Sequence, residues 1–169
     1  MISKKTKGFT LLEMLISVAI IIIGALGVFS AVAKFSQQAQ QERENLVAAY
    51  LCQEGIEIVK NIRDTNWVET AASWKDGLIS CSSGCEADFN DASLTAWTTG
   101  NYFYIENSNP GTGLYRYITS PVSGDVVTPY KRKITITEVG ADELDIIVDV
   151  YWVTYTMTVK ENIYNWKSL

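Results

Sequence analysis

No histidine occurs anywhere in the 169 residues. A His-based triad, a His general base and a His-ligated metal site are therefore excluded. Proline is scarce as well: there are three, none before Pro110, so no proline interrupts the long N-terminal stretch. Cysteine is limited to Cys52, Cys81 and Cys85, too few and wrongly spaced for a zinc knuckle. Basic charge is short, with 14 Lys and Arg against 19 Asp and Glu and a net charge of −5. An acidic surface binds phosphate polymers poorly, so no nucleic acid partner is expected. Nucleophile elbow, phosphate loop and dinucleotide fingerprint are all missing. Ser73, Ser82 and Ser83 have no base to activate them. The chain is not expected to be an enzyme.

What is present is unevenly distributed. The 47% of hydrophobic residues is ordinary for a globular chain, but the apolar excess sits near the N-terminus. Residues 1–8 carry Lys4, Lys5 and Lys7 and no acid. Phe9 to Ala33 then contains a single charge, Glu13. As a helix this run is roughly 37 Å long, enough to cross a hydrocarbon core. The basic start places the N-terminus in the cytoplasm and the bulk of the chain outside. Without the three leader lysines, 11 basic residues face 19 acidic ones, a net charge of −8.

Three readings compete for this segment. A cleaved secretory signal would end at Ala31-Val32-Ala33, but the apolar run is long for one and contains Glu13. A plain anchor leaves that carboxylate without a partner in the membrane, at a cost of a few kcal/mol. The third reading takes these details together. The string KGFTLLEMLISVAIIIIGALG, with a basic leader ending in Gly8, an aromatic Phe9 and Glu13 five residues after the glycine, resembles the N-terminus of type IV prepilins and pseudopilins.

The resemblance implies cleavage between Gly8 and Phe9 by a prepilin peptidase, N-methylation of Phe9, and Glu13 as the docking residue that neutralises a neighbouring subunit's N-terminal amine. Two opposite charges in a low-dielectric bundle are tolerable as a pair and costly alone. Implied partners are other pilin or pseudopilin subunits, the peptidase and methylase, and an inner-membrane assembly platform. The subunit would cross the cytoplasmic membrane once, then enter an extracellular or periplasmic filament. Many pilins carry a mid-helix proline that this chain lacks. Gly24 and Gly27 are its only weak helix formers there, and they permit either local extension or close helix packing.

The helical pattern continues through Lys34 to Asp64. Val47, Leu51, Gly55, Ile58 and Ile62 form one stripe, flanked by Ala48, Cys52 and Val59. A helix from Phe9 to Asp64 matches the long N-terminal helix of the pilin family. Gly55 on the stripe suggests close approach of a sheet, or else a mild helix weakness.

Residues 65–100 read as loops with short elements. Strand-like runs follow at Tyr102–Glu106, Leu114–Thr119, Lys131–Val139 and Glu143–Trp152, with a last strand through Tyr155, Met157 and Val159. Asn107 to Gly113 is a turn signal. The expected fold is α+β: a long N-terminal helix packed on a C-terminal antiparallel meander of four or five strands. The expected segments are a leader at 1–8, an assembly helix at 9–33, its amphipathic continuation at 34–64, and a globular part at 65–169. The five tryptophans are read as core filling.

In an exported chain disulfides persist. Cys81 and Cys85 flank a short glycine-containing loop and are favoured as a local clamp. Cys52 could instead pair with either one, leaving an odd thiol. Acidic residues cluster at Glu86, Asp88 and Asp91 and at Asp142, Glu143 and Asp145. Some pseudopilins hold a structural calcium, and these oxygens could serve, but EF-hand spacing is missing and a solvated acidic surface is the preferred reading. No cofactor or metal is assigned.

The function expected is structural: a subunit, minor by its irregular loops and by the ending Ile163-Tyr164-Asn165-Trp166, which resembles the minor-pilin branch. The rival is a secreted ligand-binding domain with a signal peptide ending at Ala33.

Overall fold

The computed structural model describes residues 8, 10–69, 73–98, 101–106 and 113–166. Phe9 and the turn read at 107–112 lie outside the described residues.

Helix α1 runs unbroken over Leu11–Val68, 58 residues. The Thr10 hydroxyl accepts the backbone N–H of Glu13 at 3.3 Å, capping the first turn, and Glu13 adds negative charge at the helix's positive end. At its other end α1 passes the expected limit of Asp64. Trp67 is buried, its ring 6.2 Å from that of Trp74 and 5.0 Å below the Arg63 guanidinium. These contacts hold one further turn, closed by Glu69 N–H donating to the Thr65 carbonyl at 2.9 Å.

The chain divides into two compact units, 1–44 and 45–169. In the first, the helix from Leu11 presents its apolar side chains outward on all sides: Leu11, Leu15, Ile20, Ile23, Leu26 and Phe29 are all more than half exposed. A helix apolar all round is suited to lipid or to a bundle rather than to water. It is long and apolar enough to cross a membrane.

The second unit holds residues 45–68 of α1 and two sheets. Strands β1 (Cys85–Glu86), β2 (Thr95–Ala96), β6 (Tyr130–Gly140), β7 (Glu143–Trp152) and β8 (Tyr155–Tyr164) form an antiparallel sheet in the order β2-β1-β6-β7-β8. Strands β3 (Tyr104–Glu106), β4 (Leu114–Arg116) and β5 (Val126–Val127) form a second, in the order β4-β3-β5. The meander is thus three strands long. The runs at 102–106 and 114–119 pair with each other instead of extending it, because β1 occupies the flank of β6, Cys85 opposite Ile134.

Alternation sets the core. Leu144, Ile146, Val148, Val150 and Trp152 point inward from β7, and Tyr130, Arg132, Ile134 and Ile136 from β6. Against them lie Ala48, Leu51, Cys52, Ile56 and Val59 of the helix. Val47 and Ile62 pack at the margin. Burying a side chain of this size contributes about 1.5–3 kcal/mol, so this layer holds helix to sheet.

Candidate functional site

Of the residues singled out for processing and docking, Gly8 and Glu13 are described, the one just before α1 and the other on its first turn. Gly8 is exposed and Glu13 stands exposed on the first helical turn. Around Glu13 the helix is regular: the Ser17 hydroxyl donates to the Glu13 carbonyl at 2.8 Å, and Gly24 and Gly27 have open space on all sides. The glycines therefore leave two bare spots on an apolar rod, where another helix can approach closely. Thr10 was not singled out from the sequence as a cap. The signal was available, since Thr-x-x-Glu before an apolar run is the capping-box pattern.

The more consequential side chain that sequence reasoning passed over is Arg132. It is wholly buried. Its Nη1 donates to the Leu51 carbonyl of α1 at 2.8 Å. Its Nη2 donates to the Ala87 carbonyl and, at 3.2 Å, to Glu54 Oε1. The guanidinium also sits 5.0 Å from the centre of the Phe103 ring. One cation thereby joins the helix, the chain just after β1 and the residue before β3. Lying between Lys131 and Lys133, it reads as part of a solvated basic run. The period-2 pattern of Tyr130, Ile134 and Ile136 is the signal that turns it inward.

Cys81 and Cys85 are bridged, and Cys52 is free and buried. Burial pushes the Cys52 thiol up to about 11, so it is an inert core residue. Its S–H faces the carbonyls of Val148 and Met157 at 3.9 and 3.7 Å.

The acidic residues near β1 are engaged. Both Asp88 oxygens accept backbone N–H groups, from Asn90 at 2.9 Å and Tyr117 at 3.1 Å. Asp91 accepts the Asp88 N–H at 2.7 Å. Glu86 is 5% exposed. It accepts a hydrogen bond from Asn101, while its Oε2 has no partner among the described residues. Burial raises the Glu86 carboxyl above the usual carboxylate range, with the Asn101 amide working against that shift. Across the sheet, Asp142 and Glu143 accept hydrogen bonds from Asn165 and Asn162. Among the described residues no group of three His, Cys, Asp or Glu side chains is placed to hold a metal ion.

Residues 3–29 match the prokaryotic N-terminal methylation motif, the signature of type IV pilins and pseudopilins. Neither a curated protein nor a solved structure matches the chain.

Proposed function

We propose that this chain is a structural subunit, of the minor kind, of a type IV pilus-like filament or a secretion pseudopilus. A prepilin peptidase cuts between Gly8 and Phe9, the new Phe9 amine is methylated, and the subunit waits in the cytoplasmic membrane with its N-terminus inside. It then polymerises through α1 with other pilin-type subunits on an inner-membrane platform.

The observation that carries this reading is a coincidence of position. The methylation motif at residues 3–29 falls on the start of one continuous helix, and Glu13, the lone acid of its apolar run up to Ala33, stands there among exposed apolar side chains. Lys7 leaves with the leader, and Lys34 is more than five turns away. The cation available to Glu13 is the new α-amine, most simply that of an adjacent subunit. The rival, a secreted binding domain released at Ala33, is disfavoured because α1 is helical straight through Ala31–Lys34.

Two measurements test the proposal together. N-terminal sequencing of the exported protein should give Phe9; Lys34 would establish the signal-peptide reading instead. Glu13→Gln should still be processed and inserted but should be depleted in sheared filaments. Normal entry of that variant into filaments would remove Glu13 from the docking role.

A further inference from the structure

Away from α1, the start of β3 and the chain after β4 enclose a cleft of about 290 Å³, lined by Asn101, Tyr102, Tyr104, Tyr117, Ile118 and Thr119. From its lining we infer that this cleft is a binding site for a neutral saccharide, a role independent of polymerisation.

The lining follows from alternation. Phe103 turns into the core, fully buried, so its neighbours Tyr102 and Tyr104 face the other way. The backbone that carries them is fixed. Phe103 N–H donates to the Tyr130 carbonyl at 3.0 Å. The Phe103 carbonyl accepts both the Thr128 N–H, at 2.8 Å, and the Thr128 hydroxyl, at 2.7 Å. On the facing segment, Tyr117 stacks on Phe103 with ring centres 4.3 Å apart, and its hydroxyl donates to the Arg132 carbonyl at 3.3 Å. Asn101 is anchored by its amide nitrogen to Glu86, which leaves its amide oxygen as an acceptor. Tyr102 is 42% exposed, with Lys131 Nζ 4.1 Å from the ring centre.

Tyr117 thus packs its ring on the core side, and the cleft is left with the two outward tyrosines, Tyr102 and Tyr104, on a fixed backbone beside the Asn101 amide and the Thr119 hydroxyl, which offer stacking to the C–H face of a pyranose and hydrogen bonds to its rim. None of the six lining side chains is charged, and the Lys131 ammonium beside them lies over the face of the Tyr102 ring, so the lining itself matches a neutral ligand. The cleft is small for a drug-sized molecule and suits one or two sugar rings. Tyrosine-lined grooves also take proline-rich segments, but the amide and hydroxyls here favour a ligand rich in hydroxyl groups.

The test uses the full chain in lauryldimethylamine oxide, since maltoside detergents carry a competing sugar. Cellotetraose, chitotetraose and maltotetraose are titrated while intrinsic fluorescence and heat are followed. At least one should bind with a Kd at or below about 1 mM. Tyr102→Ala should weaken it by about tenfold or more, and Tyr102→Phe, which keeps the ring, by less than about threefold. Circular dichroism should show both variants folded, because Tyr102 lies outside the core. The assignment is overturned if none of the three sugars binds at about 10 mM, if Tyr102→Ala binds as well as the parent, or if decaproline binds in their place.

Discussion

The bare Cα of Gly55 and the side chain of Arg132 share one space: a Cβ at Gly55 would stand 3.0 Å from Arg132 Cδ, and equally 3.0 Å from Val148 Cγ1. Gly55 is the one glycine in residues 45–68 of the helix, and through the gap it leaves Arg132 reaches the Leu51 carbonyl.

Gly55→Ala therefore sets two effects against each other. Alanine favours the helix by about 1 kcal/mol. Overpacking a buried contact costs about 1–3 kcal/mol, and here neither neighbour has slack: Arg132 is fixed by three hydrogen bonds and Val148 is branched on a central strand. The expected net is a loss of about 1 kcal/mol, read as a Tm lowered by about 2–4 °C. An unchanged or raised Tm would show that the helix stands further from the sheet.

Arg132→Met keeps most of the stem and removes the cation. The Ala87 carbonyl then loses its buried donor, and the expected cost is about 3 kcal/mol. Glu54 is the minor partner, since its side chain keeps 30% exposure. Glu54→Gln alone should cost under about 1 kcal/mol. Denaturant titration of the two variants separates these cases, and equal losses would make the ion pair, not the carbonyl anchoring, the important contact.

Alkylation without reduction checks the sulfur assignments. In denaturant, intact mass should show one modified cysteine, Cys52; without denaturant it should show almost none, because burial holds that thiol up to about 11. Reducing the Cys81–Cys85 bridge should cost about 2 kcal/mol, the value for so short a loop. Three modified cysteines without reductant would contradict the bridge.

Glu86 gives a pH signature of unusual sign. Its folded-state carboxyl titrates above the ordinary range because it is buried, so in the window just above that range the native state binds more protons than the unfolded chain. Its contribution to stability is then largest below the ordinary carboxylate value and falls as pH rises through the raised one. Glu86→Gln should stabilise at neutral pH and remove this slope. A variant less stable than the parent at neutral pH, measured by denaturant titration across pH 4–8, would mean the charged form is satisfied in the fold.

Much of the architecture was legible because it is periodic. Leu51 and Gly55 of the predicted stripe and its flanking Ala48, Cys52 and Val59 face the sheet, with Val47 and Ile62 at the margin, and the β7 alternation from Leu144 to Trp152 is buried residue by residue. The suggestion that Gly55 marks a close approach agrees with the geometry. What was not legible depends on contacts distant in sequence. Nothing near Cys85 announces that it will sit opposite Ile134 and so cut the meander to three strands. Arg132 is hidden by its lysine neighbours, and Trp166, read as core, lies 57% exposed, edge-on to Trp67 at 4.3 Å. In the candidate assembly segment, Glu13 was conspicuous because it is the one charge in its surroundings. The tyrosine cleft was invisible, since its walls come from strands whose pairing no local pattern specifies.

The sulfur bridge closes a ring between residues only four apart in the chain; it fastens β1 to its own preceding turn and nothing to the helix. A pull applied along α1 therefore meets no covalent shortcut into the sheet. The load passes through side chains: the Leu51 carbonyl held by Arg132, the Lys60–Glu161 pair at 2.7 Å between α1 and β8, and the apolar layer between them. Such a joint yields by peeling one contact after another and can re-form when tension is released, whereas a helix-to-sheet disulfide would hold rigidly until a bond broke. Gly55 governs one of these contacts, because the clearance there lets Arg132 reach the Leu51 carbonyl.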